Sequence, residues 1–230
     1  HLSKCRQPRR INMNTAAPNQ RTTHIKASNY DRAFDILGSN DFIPPKRIII
    51  ARGLTYSPKC LAEFGETLPD EESLMWCRDN GMMLTAGPPI PMSLLTVRSV
   101  RADYFFSRKG GRYSDKGQKF ARDEKVESTW SSFRKEPGAN SLNKCWKEQS
   151  RLVKDPMDVP KAVEVAWCIT TYKAVHGTYL LPELYVRTRS VDSGDDHVLV
   201  GAFDTGGLSI SYIEDDRVSL YVGLSGCRKF

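Results

Sequence analysis

Long apolar runs are missing from this 230-residue chain. No stretch approaches the roughly 18 residues that span a bilayer, and the first residues lack the apolar centre of a secretion signal. Membrane insertion is therefore not expected. Acidic side chains are absent before Asp31, whereas Lys4, Arg6, Arg9, Arg10, Arg21 and Lys26 precede it and supply most of the net charge of +7. Residues 1–28 read as a basic, flexible leader capable of weak polyanion contact. The alternative is a nucleic-acid-binding arm, but no aromatic ring is interleaved there for base stacking.

Paired metal- and redox-site motifs are missing as well. The six cysteines, Cys5, Cys60, Cys77, Cys145, Cys168 and Cys227, include no C-x-x-C pair, and their density is far below that of disulfide-stapled secreted domains. Free thiols in a reducing, cytoplasmic compartment are the expectation. His1, His24, His176 and His197 show no H-x-x-x-H spacing, so neither a metal nor a cofactor is predicted. There is no G-x-S-x-G elbow, no phosphate-cradling loop and no H-E-x-x-H. The segment "RKGGR" at 108–112 has glycines without the Lys-Ser/Thr that a phosphate cradle needs, and reads as a turn. Cys168 and His176 fall about 12 Å apart along one helix, too far for a nucleophile and its base. No catalytic residue is assigned and no enzyme is predicted. The acidic clusters "DSGDD" (192–196) and "EDDR" (214–217) lack the full spacing of a calcium loop, and Asx turns explain them without an ion.

What is present is a succession of short elements. "SNYDRAFDILG" predicts a helix from Asn29 to Gly38, and the β-branched run in "FIPPKRIIIARGL" predicts a buried strand over Arg47 to Ala51. "LPDEESLMWCRDNG" predicts a helix with Pro69 in its first turn, Gly81 at its stop, and Met75 and Trp76 facing inward. The proline-rich "TAGPPIPM" marks a boundary between an α/β extension, 29–84, and a larger domain, 85–230. In that domain "STWSSFRKEPG" reads as a half-exposed strand. "ANSLNKCWKEQSRLV" and "VPKAVEVAWCITTYKAVHG" read as two core helices, with Trp130, Phe133, Phe120, Trp146 and Trp167 as core anchors.

Beyond His176 the period shortens. "LPELYVRTRS", "HVLVGAFD", "GLSISYI" and "VSLYVGLSG" predict a small antiparallel sheet following the two helices, and hence an α+β class. Lys, Glu, Gln, Met and Trp recur from His1 to Val198, but between Leu199 and Arg228 Glu214 alone represents them. Strand composition disfavours Lys and Glu and contributes to that depletion.

The runs "NSLNKCWKEQSRLV", "VPKAVEVAWCITTYKAVHGTYLLPELYVRTRS", "HVLVGAFDTGGLSI" and "VGLSGCRKF" resemble the variable proteins of diversity-generating retroelements. The resemblance covers roughly Thr85 to Phe230. It implies a C-type lectin fold and a non-enzymatic ligand-recognition role, with a protein or cell-surface ligand bound on a hypervariable surface. It also implies that randomised template adenines replace asparagine codons by a broad set of residues from which Lys, Glu, Gln, Met and Trp are excluded. On that basis the framework comprises Val186, Arg187, Thr188, Val200, Gly201, Gly207, Leu208, Asp215, Asp216, Arg217, Gly223 and Leu224. The ligand-binding variable positions are Leu199, Ala202, Asp204, Ser209, Ser211, Tyr212, Ile213, Val218, Ser219, Leu220 and Tyr221. Glu214 falls outside the set that asparagine codons reach, and Gly226 and Cys227 fit either class.

Overall fold

The computed structural model describes residues 29–106, 111–138 and 140–230, so the basic leader, Cys5 and most of "RKGGR" lie outside the described residues. The first helix, α1 (Asn29–Leu37), ends where Gly38 takes a left-handed φ of 75°. A short strand β1 (Phe42–Ile43) leads into α2 (Pro45–Arg52). The strand predicted at Arg47–Ala51 is thus a helix. Pro45 stands in its first turn, and Gly53, at φ 65°, closes it by donating its N–H to the Ile49 carbonyl. In a strand Ile48 and Ile50 would share a face; here Ile48 is buried and Ile50 is 76% exposed, as residues two apart on a helix are.

Ser57 caps α3 (Pro58–Glu66), and Asp70 caps α4 (Glu71–Asp79) by accepting the Ser73 N–H at 2.9 Å. Pro69 therefore precedes the cap. The inward residues of α4 are Leu74 and Cys77, not Met75, which is exposed, nor Trp76, which is half-buried 5.2 Å from the Arg228 guanidinium. Each predicted residue is one position removed from a buried one, a register error of about 100° around the helix.

The following elements are β2 (Met82–Ala86), β3 (Met92–Ser93), α5 (Leu94–Val100), α6 (Lys119–Asp123), β4 (Lys125–Val126) and β5 (Trp130–Arg134). The core helix predicted in "ANSLNKCWKEQSRLV", 139–153, shrinks to α7 (Trp146–Gln149) followed by a 3-10 turn, and Leu152 is exposed. Asn143 adopts a left-handed φ of 56°, which no helix can run through, so the helix cannot begin at Asn140 or Ser141. Its one buried member, Gln149, donates to the Ser141 and Val222 carbonyls at 2.8 and 3.1 Å. Then come α8 (Ala162–His176), β6 (Tyr185–Val191), β7 (His197–Asp204), β8 (Gly207–Tyr212), β9 (Val222–Leu224) and β10 (Cys227–Lys229).

The chain is a mixed α+β molecule with more than one sheet, which corrects the single small sheet expected. One sheet has the order β1-β2-β5-β10 and another the order β8-β7-β6-β9, with a β3–β4 pair beside them. The second sheet is not wholly antiparallel, because β9 runs parallel to β6, pairing Val222 with Tyr185 and Leu224 with Arg187. Of "VSLYVGLSG" only Val222–Leu224 is strand. Every residue of α8 from Ala162 to Tyr172 is buried, as expected of a helix without a polar side. Its Trp167 donates to the Ala86 carbonyl at 3.0 Å, next to the first sheet, while other α8 side chains pack on β6 and β7. One cluster of buried side chains extends from Ala33 to Cys227, so residues 29–84 and 85–230 share a core. The five described cysteines are unpaired, and no helix among the described residues is long and apolar enough to cross a membrane.

Candidate ligand-recognition face

Strand alternation sets the geometry of the second sheet. Val198 and Val200 of β7 belong to the shared core, so Leu199 between them turns to the other face, in register with Arg187 of β6 and Ser211 of β8. The chain leaves β8 at one edge and returns as β9 at the opposite edge, carrying residues 213–221 across the strands between. On that face Arg187 reaches the Arg217 carbonyl of the crossing, and Leu199 beside it is 4% exposed. Leu199 is therefore a buried support, contrary to its assignment to the variable surface.

Contacts at Asp215 and Arg217 hold the middle of the crossing down. The Asp215 carboxylate accepts the His197 backbone N–H at 3.2 Å and faces His197 Nδ1 at 2.7 and 2.9 Å. The Asp215 carbonyl accepts the Trp146 N–H at 2.9 Å, and the Trp146 ring stacks on the His197 imidazole with centroids 3.7 Å apart. Beneath them Arg187, fully buried, donates Nη2–H to the Arg217 carbonyl at 3.2 Å. Burial lowers the Arg187 pKa, and the Asp215 carboxylate opposes that shift. His197 and Trp146 are the residues that sequence reading missed, since neither helical spacing nor metal spacing marks a stacked imidazole and indole. Trp146 is half-buried here and is not the core anchor expected.

Between and beyond these pins the remaining positions divide. Val218, Leu220 and Tyr221 are 53%, 67% and 64% exposed. Ser219 is half-buried; its carbonyl accepts the Asn143 N–H and its hydroxyl accepts the Tyr221 N–H. Ser211 is exposed, and Tyr212 and Ile213 are half-buried at the end of β8. Ser209 is half-buried beside Tyr185, whose hydroxyl lies 3.1 Å from its own. Ala202 is half-buried at a bulge with φ 44° and donates to the Leu184 carbonyl. Asp204 is exposed and accepts the Gly206 N–H in the hairpin turn. The framework positions Val186, Thr188, Val200, Gly201, Gly207, Leu208, Gly223 and Leu224 are buried, whereas Asp216 and Arg217 are exposed, Arg217 paired with Glu214.

Ser211 and Tyr212 also form one wall of a partly enclosed cavity of about 210 Å3, whose other walls are Tyr113, Phe120, Val198 and Ile210. Gln118 and Asp192 complete its lining, and none of the residues contributed by the 113–120 segment or by Asp192 was singled out for ligand binding in the sequence. Asp192 Oδ1 accepts the Gly194 and Asp196 amides at 2.7 and 3.2 Å, an Asx arrangement in "DSGDD". Among the described residues no three His, Cys, Asp or Glu side chains converge as a metal site would require. The buried thiols Cys168 and Cys227 have pKa values raised by burial, Cys227 to about 12, which keeps it protonated. Comparison with family models, curated proteins and solved structures returned no match.

Proposed function

We propose that this chain is a ligand-recognition protein without catalytic activity, built on a C-type lectin-like domain and diversified at its 3′ coding end by a retroelement. The observation that carries the reading lies within one crossing segment. Asp215 and Arg217 hold it to the sheet through a carboxylate and a carbonyl, while Val218, Leu220 and Tyr221 extend from it into solvent. Such a segment keeps its path when the outward side chains change. Together with Ser211 and Tyr212 these residues offer apolar contact area and two tyrosines, which give a large interface at low conformational entropy cost. The partner is a protein or cell-surface ligand.

Substitution tests the division. Replacing Ser211 by Asn, and Val218, Leu220 and Tyr221 one at a time by Asn or Ser, should shift unfolding free energy by less than about 0.5 kcal/mol each, as at open surface sites. Trp167→Ala should lower it by roughly 3–5 kcal/mol, because that ring is wholly buried and its Nε1–H is bonded. Denaturant titration of both sets makes the comparison. Equal destabilisation would place the outward residues in the core and end the proposal, as would a coding locus without a reverse transcriptase and an adenine-differing repeat.

A further inference from the structure

Arg134, the last residue of β5, carries a charge that no neighbour balances. Its backbone is fixed, the N–H donating to the Gly226 carbonyl at 3.2 Å and the carbonyl accepting the Ser225 hydroxyl at 2.8 Å. Its guanidinium has neither an ion-pair nor a hydrogen-bond partner among the described residues. Nε is buried, whereas the two terminal nitrogens keep open surface on a cavity of about 330 Å3. Gly138 lies on the rim of that cavity, and a Cβ built on it would stand 3.7 Å from Arg134 Nη1. A half-buried charge without a counterion is unfavourable, and an anion seated against it removes part of that penalty.

The rest of the wall narrows the anion. Leu152, 43% exposed, joins the half-buried Val153 and Met157 and the buried Leu224 in an apolar surface, and no Asp or Glu is among the lining residues. The Ser141 hydroxyl is already engaged, donating to the Gly138 carbonyl at 2.6 Å and accepting the Leu224 N–H at 2.9 Å. Arg134 is therefore the one charge on the wall, which suits a ligand of charge −1 better than a dianion. Nη1 and Nη2 together match the two oxygens of a carboxylate. An apolar cavity of about 150 Å3 takes one benzene ring; about 330 Å3 leaves room for a short chain and a carboxylate as well. We propose that this cavity binds a monocarboxylate with an apolar body, its oxygens accepting from Nη1 and Nη2 of Arg134 and its body lying on Leu152, Val153 and Met157. The acid is either a free small molecule or the C-terminal residue of a polypeptide. The assignment stands apart from the proposed variability, because none of the positions assigned to the variable surface lines this cavity.

4-Phenylbutanoate and its amide, which differ in charge, test it on the full chain by saturation-transfer NMR and calorimetry. The acid should bind about ten- to a hundredfold more tightly than the amide, the range that hydrogen bonds to a charged group supply. On the wild type, added salt should weaken the acid and leave the amide unchanged. Acetate, which lacks the apolar body, should bind at least about tenfold more weakly than phenylbutanoate. Arg134→Met should remove the preference for the acid while melting no lower than the wild type, since the side chain it replaces has no bond to lose. The acid and the peptide acetyl-Gly-Gly-Leu, with its free carboxylate, distinguish the sources, the tighter binder identifying which one the cavity takes. Failure of both to bind at millimolar concentration, acetate binding as tightly as phenylbutanoate, or a preference for the acid that is indifferent to salt or survives Arg134→Met overturns the proposal.

Discussion

His176 ends α8 with its ring 4.3 Å from that of Tyr172, and its Nε2 has no hydrogen-bond partner among the described residues. Burial lowers its pKa from the ordinary 6.5, Arg47 and Lys135 lower it further, and Asp41 pulls it back. Below about pH 6.5 the unfolded chain thus takes up a proton that the folded chain refuses, so stability falls as pH drops through the window beneath that value. We expect the urea midpoint of the wild type to decline between pH 7 and pH 5 more steeply than that of His176→Gln. Parallel declines would show that this imidazole is as easily protonated folded as unfolded. Arg187 makes a related point about single residues. A buried guanidinium whose Nε and Nη1 lack partners among the described residues is tolerated because the crossing segment above it supplies a carbonyl to Nη2 and a carboxylate nearby.

At the scale of elements, the hairpin of β7 and β8 turns on Gly206 and Gly207, of which Gly207 is the one no other residue replaces easily. Gly207 holds φ at 106°, and a Cβ there would come within 2.6 Å of the Phe106 nitrogen, close to where Phe106 donates to the Leu208 carbonyl. Gly207→Ala should therefore destabilise by about 1–3 kcal/mol through strain alone. Gly65→Ala, with open space around its Cβ position, provides the comparison. Similar denaturation midpoints for the two would refute the strained-turn account. These glycines were legible in the sequence because turn chemistry is local. The bounds of α1, α8 and β5–β8 were legible for the same reason: capping, apolar content and alternation are written within each element. Ile48 to Ile50 misled because β-branched side chains favour extended backbone only until Pro45 and Gly53, outside the run, impose helical ends. Leu199 misled because alternation puts it on the sheet face away from Val198 and Val200, and whether that face is covered depends on chain distant in sequence, which no local pattern carries. The Tyr113 cavity was hidden for the same reason, since its walls come from three separate stretches of chain.

The whole molecule is joined at its last residues. β10 pairs with β5 through Cys227 and Phe133, and β5 pairs with β2 from the first half of the chain. Lys229 meets Glu164 of α8 at 2.6 Å, and the Phe230 N–H donates to the Trp130 carbonyl at 3.0 Å. Because α8 lies in one core with both sheets, loosening this edge should be felt throughout. Deleting residues 227–230 should lower Tm by more than about 5 °C, a shift on the order of 1–2 kcal/mol for a chain of this size. Amide exchange should quicken in β6 and β7 as well as in β5. Faster exchange confined to β5 would instead divide the molecule into independently opening units.

The segment crossing the second sheet has a further consequence, concerning length instead of side-chain content. Its two ends are fixed by strand pairing, Tyr212 with Val198 and Val222 with Tyr185. The entropy of closing a connection between fixed ends grows only with the logarithm of its length, about 0.6 kcal/mol per doubling. Residues added between Arg217 and Ser219 would therefore enlarge the loop with little effect on the anchored strands. The same scaffold can present a low patch or a tall projection, and so meet flat or recessed partners without refolding.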